Sequence, residues 1–253
     1  MSVAACRSIV EALGNLSGRT VVEIGPGKGA ITELLVSRAG RLIAIELDRE
    51  LAPRLRERFA GRETVTVIED DVLRVDLSAL ARPGEKLLVV GNLPYYMTSD
   101  ILLHLICHEA AIERAVVMVQ REVADRVAAG PGSRDYGLLS VTAQLHARVE
   151  KLLTLPPGAF SPPPEVYSTV LRWTMHSRME ELGVDPARFT GFLRSCFAQK
   201  RKTLGNNLRA AKYEPEAIAE AFENAGVAAG ARAEELRLET LAALWRRLAG
   251  ELR

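Results

Sequence analysis

Four short stretches carry residue types able to do chemistry, and each sits just after an apolar run of strand length. Glu23-Ile24-Gly25-Pro26-Gly27-Lys28-Gly29 holds a GxGxG turn, Glu46 closes Leu42-Ile43-Ala44-Ile45, Asp70-Asp71 follows Val65 to Ile68, and Gly91-Asn92-Leu93-Pro94-Tyr95 follows Leu87 to Val90. Glycines at a strand-to-helix turn remove side chains where a ligand must approach the backbone. A carboxylate 21 positions beyond Gly25, at a second strand end, is placed to accept from two ribose hydroxyls. Asp71 is suited to accept from an adenine amine. The fourth stretch sets side-chain and backbone oxygens beside a flat aromatic ring, which fits methyl transfer to a nitrogen better than hydride transfer. No GxxxxGK[ST] phosphate loop occurs, which disfavours ATP hydrolysis.

The elements that must position these residues alternate. Strands are expected at Thr20 to Ile24, Leu42 to Ile45, Val65 to Ile68, Leu87 to Val90, Ala115 to Val119 and Val166 to Trp173, with helices from Ala30 to Val36, Leu47 to Phe59, Thr98 to Glu109 and Gly137 to Ala147. Apolar residues at consecutive strand positions indicate parallel strands covered on both faces, hence a doubly wound α/β sheet. Beyond the broken segment Pro156 to Pro164, helix-face spacing returns at Phe189, Phe192, Leu193, Cys196 and Phe197, and again at Leu236, Leu241, Leu244, Trp245 and Leu248. We therefore expect a Rossmann-like domain over residues 1–177 and a small helical domain over 178–253.

Composition narrows the class. With 253 residues, 48% of them hydrophobic, the chain can bury a substantial core. Three dispersed cysteines, Cys6, Cys107 and Cys196, form neither a CxxC cluster nor a disulfide framework. Overall charge is only +1, yet Arg188, Arg194, Lys200, Arg201, Lys202, Arg209 and Lys212 fall between residues 188 and 213 without a single acid, a concentration that attracts phosphates. No apolar run of about 20 residues suggests a membrane span, and the first residues do not read as a secretory signal, so a cytoplasmic protein is expected. His104 and His108 share a helix face, but the segment is not HExxH and a structural role is expected; no metal is called for.

Taken together, the motifs resemble the S-adenosylmethionine (AdoMet)-dependent ribosomal RNA adenine N6-methyltransferases, especially the KsgA/RsmA-type small-subunit (16S) rRNA adenine N6,N6-dimethyltransferases. The resemblance runs through most of the chain: Glu23 to Gly27, Ala44-Ile45-Glu46-Leu47-Asp48, Asn92 to Tyr95, Gln120-Arg121-Glu122-Val123, Phe160-Ser161-Pro162-Pro163-Pro164-Glu165-Val166, and Phe197-Ala198-Gln199-Lys200-Arg201-Lys202-Thr203-Leu204. It implies that Gly25, Gly27 and Gly29 line the AdoMet pocket with Glu23 also binding the cofactor, that Glu46 binds the ribose, that Asp71 contacts the adenine, and that Asn92 borders the methyl donor. It also implies that the Asn92 side-chain oxygen and the Leu93 carbonyl orient the target amine, that Pro94 stiffens the backbone, and that Tyr95 and Phe160 wall the target base. Arg194, Lys200, Arg201, Lys202 and Arg209 are expected to meet RNA phosphates.

The implied partner is small-subunit rRNA in an assembling 30S-like particle, modified on two adjacent adenines near its 3′ end by a monomeric enzyme. Family members normally carry a basic segment with a GQ[NH]F-like motif ahead of the stretch matching Met1 to Arg7, and that segment helps cover the cofactor. Rival readings are a large-subunit rRNA adenine N6-methyltransferase, whose core has a similar NLPY or NIPY motif, and a catalytically weak ribosome-assembly factor. A mitochondrial transcription-factor relative and an NAD oxidoreductase fit less well. Pro131 to Gly137 and Lys200 to Leu204 favour the small-subunit branch.

Overall fold

The computed structural model describes residues 1–249; residues 250–253, the tail of the expected helical domain, lie outside the described residues. Seven strands form one sheet in the order β3-β2-β1-β4-β5-β7-β6: β1 (Thr20–Ile24), β2 (Arg41–Glu46), β3 (Val65–Glu69), β4 (Leu87–Asn92), β5 (Ile112–Gln120), β6 (Ala147–Leu155) and β7 (Ser168–Met175). The first five are parallel, and all five β1 residues are buried, as are five of the six in β4. That is why they read as unbroken apolar runs. The strand order reverses beside β1, where β2 and β4 flank it, and at this switch point the carboxyl ends of the strands open a crevice.

The α/β class expected from the sequence is present, with two differences in the sheet's far half. β7 runs antiparallel to β5, with Ser168 opposite Gln120 and Thr174 opposite Arg114. β6 was not expected as a strand at all. It is an edge strand carrying Arg148, Glu150 and Lys151, and its half-exposed residues dilute the apolar signal. Glu150 is held there by Arg172 of β7 at 3.0 Å.

The helices are α1 (Val3–Ala12), α2 (Thr32–Val36), α3 (Leu51–Arg58), α4 (Thr98–Cys107), α5 (Arg121–Val127), α6 (Leu138–His146), α7 (Met179–Leu182), α8 (Pro186–Cys196), α9 (Leu204–Ala210), α10 (Pro215–Ala225) and α11 (Leu238–Leu248). α3 begins four residues later than the periodicity suggests, because Asp48 Oδ1 accepts from the Glu50 and Leu51 amides and turns the chain into the helix there.

Among the described residues two compact units emerge: residues 1–124 with 148–175, and residues 125–147 with 176–249. The first contains the sheet and a core that includes Ile9, Leu35, Val90, Val116 and Met118. The second is helical. Residues 125–147 belong with it rather than with the rest of 1–177, because Tyr136, Val141 and Leu145 share a buried cluster with Phe189, Phe192, Leu208, Phe222 and Trp245. A helix expected from its length thus sides with helices far along the chain, a choice made by its buried face and invisible in local periodicity.

Candidate active site

A cavity of about 720 Å³ lies at the carboxyl ends of β1, β2 and β4. Its volume suits a nucleoside-sized ligand. Gly25, Gly27, Glu46 and Asp71 line it, and so do Asn92, Leu93, Pro94, Tyr95 and Phe160. Nine residues separated by up to 135 positions in the chain (Gly25 to Phe160) therefore line one cavity.

The glycine-rich turn takes its form from backbone conformations that other residues rarely adopt. Gly25 and Gly27 have φ of 64° and 56°, and the Gly25 amide donates to Ile45 O at 3.0 Å. A Cβ on Gly25 would stand 3.6 Å from the Asn92 carbonyl oxygen, so this turn and the end of β4 are in direct contact. Gly91 makes that approach possible: a Cβ there would meet Ile24 O at 2.6 Å.

Glu46 ends β2 and is 7% exposed. Its Oε2 accepts from the Gly27 amide at 2.9 Å and its Oε1 from the Asp48 amide at 3.0 Å. Two backbone donors thus fix the carboxylate's plane, while each oxygen keeps a further lone pair for a ribose hydroxyl. Asp71 is held in a similar way, its Oδ1 accepting from the Leu73 amide at 3.0 Å at the head of a single 3-10 turn over Val72–Arg74. Leu47, Leu51, Val72 and Ile101 give this side apolar walls. A buried acceptor pair for a diol, an aspartate beyond it and flat apolar walls fit the adenosine part of AdoMet.

Two residues expected to shape the pocket do not line it. Glu23 is buried beneath the turn, accepting from Thr32 Oγ1 at 2.6 Å; burial pushes its carboxyl up to about 7, against the opposing pull of that hydrogen bond. It ties β1 to the start of α2. Gly29 is also outside the lining; its φ is 82°, its amide donates to Pro26 O at 2.9 Å, and a Cβ would press to 3.3 Å from Arg58 and Leu55. Both act on the turn's shape.

At the end of β4, the Leu93 amide donates to Met118 O at 3.0 Å, which carries the β4–β5 ladder one residue past the strand. Pro94 then releases the chain into a 3-10 turn over Tyr95–Met97, closed by the Met97 amide and Thr98 Oγ1, both donating to Pro94 O. Asn92 is exposed, Tyr95 is 38% exposed and Tyr96 77% exposed. The Tyr95 hydroxyl lies 3.0 Å from Ser168 Oγ. Phe160 is half-buried, and Pro162, Pro163 and Pro164 continue the wall it begins. No sequence signal marks Tyr96 and Met97 for the lining, whereas the proline run is marked by its place right after Phe160.

In the helical unit, Arg194 lies on α8, Arg209 on α9, and Lys200, Arg201 and Lys202 in the turn between them; all five are exposed. Buried Asn207 braces that turn, its amide nitrogen donating to Cys196 O at 2.8 Å and Gln199 O at 3.2 Å. Lys200 Nζ donates to Arg134 O at 2.7 Å, and residues 199–202 line a separate concavity of about 540 Å³.

The histidine pair is accounted for by local structure. The His104 Nε2 lies 3.1 Å from Val75 O, His108 Nδ1 lies 2.9 Å from His104 O, and His108 Nε2 lies 3.3 Å from Asp76 Oδ1. Burial, then the neighbouring His108, lowers the His104 pKa. Among the described residues no cluster of three or more His, Cys, Asp or Glu side chains is arranged to hold a metal ion, and no helix is long and apolar enough to cross a membrane.

Comparison with known proteins agrees with this geometry. The family model for ribosomal RNA adenine dimethylase matches residues 3–249. The ribosomal RNA small subunit methyltransferase A of Acidobacterium capsulatum is 91% identical over 248 residues, covering 98% of this chain and 88% of the relative. Its counterpart in Koribacter versatilis is 54% identical over 252 residues, covering 95% and 88%. Among solved structures, a dimethyladenosine transferase from Plasmodium falciparum has the same fold, with a TM-score of 0.83 at 23% identity over 98% of this chain and 96% of the other. The 23S rRNA methyltransferase ErmE gives a TM-score of 0.73 at 27% identity, with 97% of each chain covered. On the strength of a family model spanning nearly every residue and relatives this similar, the chain belongs to the ribosomal RNA adenine dimethylase family.

Proposed function

We propose that this protein is a 16S rRNA adenine N6,N6-dimethyltransferase that moves methyl groups from AdoMet to two adjacent adenines near the 3′ end of small-subunit rRNA. The observation that carries the reading is the shared cavity: a preformed adenosine site around Glu46 faces the Asn92-Leu93-Pro94-Tyr95 turn, with Asn92 O against Gly25. Family membership and the small-subunit relatives at 91% and 54% identity support the choice of RNA.

AdoMet, when bound, supplies an electrophilic methyl carbon on a sulfonium. The chain's own residues do the rest by placement. The adenine amine is a weak nucleophile because its lone pair is delocalised into the ring. Acceptance of its two hydrogens by Asn92 Oδ1 and the Leu93 carbonyl favours a geometry in which the nitrogen is more nucleophilic and lies in line for direct displacement. The base must first leave its stack, and Tyr95 and Phe160 recover part of that cost by packing on its faces. No covalent protein intermediate enters.

The helical unit, with Arg194, Lys200, Arg201, Lys202 and Arg209, serves RNA recognition through phosphates and folded shape, while the sheet-bearing unit, residues 1–124 with 148–175, supplies the catalytic site. A-form major grooves hide their base edges, so shape is what such a surface reads. The setting that fits is an assembling 30S-like particle in the cytoplasm, approached by a monomer. Methyl incorporation into small-subunit particles lacking the modification, mapped nucleoside by nucleoside, tests the reading: two adjacent N6,N6-dimethyladenines are expected, and RNA binding without transfer overturns it. The ErmE likeness makes large-subunit RNA the second reading, distinguished in the same assay by offering whole large subunits.

A further inference from the structure

Tyr95 enters the cavity from a short 3-10 turn, so Pro94 fixes its backbone while its ring keeps two side-chain torsions. One polar contact reaches the far end of that ring, the 3.0 Å approach of its hydroxyl to Ser168 Oγ. Ser168 is 1% exposed and does not line the cavity. A hydroxyl taken that far from water needs a partner, and Tyr95 supplies it. Ser168 itself is firmly placed. It opens β7 opposite Gln120, and beside it the Arg121 amide donates to Tyr167 O at 2.9 Å while the Arg121 guanidinium sits over the Tyr167 ring at 5.1 Å.

We infer that Ser168 is a positioning residue for methyl transfer, its hydroxyl setting the tilt of the Tyr95 ring on which the target base stacks. The inference rests on the proposed adenine site. A ring held at both ends presents one face to an incoming base, whereas a ring held only at its backbone samples other rotamers, and each departure takes the amine out of line. The consequence falls on turnover. Ser168 touches neither Glu46 nor Asp71, so donor affinity is independent of it.

A double-mutant cycle on the full chain tests this, using Ser168→Ala, Tyr95→Phe and the pair, with single-turnover methyl transfer to unmethylated small-subunit particles, AdoMet affinity by calorimetry and melting temperature recorded for each. Loss of one neutral hydrogen bond predicts a fall of roughly 3- to 10-fold in transfer rate for either single variant, with AdoMet affinity unchanged. The pair should be no worse than the more damaged single, because both remove the same contact. Normal transfer by Ser168→Ala, or losses that multiply in the pair, overturns the role. Ring order of Tyr95, read by carbon-13 relaxation without RNA, separates the two ideas. It should drop in Ser168→Ala, and unchanged order defeats the tether itself. A wild-type chain that transfers nothing to adenine defeats the proposed function and any catalytic use of the tether.

Discussion

Around Glu46 the polar groups are already engaged with the backbone: its carboxylate accepts from Gly27 and Asp48, Asp71 accepts from Leu73, and Glu23 beneath them accepts from Thr32. In the same cavity Asn92 and Tyr96 are exposed, and the Tyr95 ring is steadied by Ser168 alone among the described hydrogen bonds. On the proposed reading, the donor groups are set before their ligand arrives, while the target groups are left for an RNA base to complete with its own stacking surface. A cofactor common to every turnover rewards a rigid site; a base that must be unstacked needs an open one.

That contrast predicts a clean separation of effects. Asn92→Ala removes the acceptor proposed for the reacting nitrogen and should slow methyl transfer by on the order of 10²- to 10³-fold, with AdoMet affinity nearly unchanged; single-turnover rates beside calorimetric binding measure both. Equal losses in the two quantities would erase the distinction between the sides. Glu46→Gln should do the reverse, loosening AdoMet by roughly 10- to 100-fold while transfer at saturating donor stays close to normal. A turnover defect that saturating AdoMet does not repair would mean that Glu46 also aligns the target. The pair Arg201→Ala and Lys202→Ala lies in the other unit and should weaken particle binding, making its salt dependence shallower by up to about two in log–log slope, with little change in maximal rate. An unchanged slope would remove these two cations from the phosphate contacts.

The smallest effect concerns Glu23, whose carboxyl is raised by burial from its ordinary value of 4.5 to about 7. Between those values the folded protein holds a proton that the unfolded chain has released. Its contribution to stability is therefore fully present below about pH 4.5 and is lost as pH rises through about 7. Melting temperatures taken across this window should decline with pH more steeply for the wild type than for Glu23→Gln, by a few degrees. Parallel profiles would show that the carboxyl titrates as an ordinary glutamate.

Much of the cavity's lining was legible because local chemistry dictates it. A glycine-rich turn after the first strand, a glutamate at the end of the second and an aspartate after the third can be read in order, since each strand delivers its last residue to one edge of a parallel sheet. The Asn92-Leu93-Pro94-Tyr95 turn was legible for the same reason. What escaped depends on partners distant in sequence. Ser168 meets Tyr95 across 73 positions, residues 125–147 join helices near the end of the chain, and Asn207 reaches back to Cys196 and Gln199 to brace the basic turn. Glu23 and Gly29 lie within the recognised motif yet face away from the cavity, because a motif records proximity along the chain and not direction.

The claim on which the account depends is that an extruded adenine presents its amine to Asn92 and Leu93 while its ring lies on Tyr95. A structure of the chain with S-adenosylhomocysteine and a small-subunit RNA fragment containing the adjacent adenines tests it directly. The account predicts one adenine out of its stack, with N6 within hydrogen-bond distance of Asn92 Oδ1 and the Leu93 carbonyl and pointing at the donor sulfur. An adenine bound in the cavity with its amine turned away from both oxygens would contradict it.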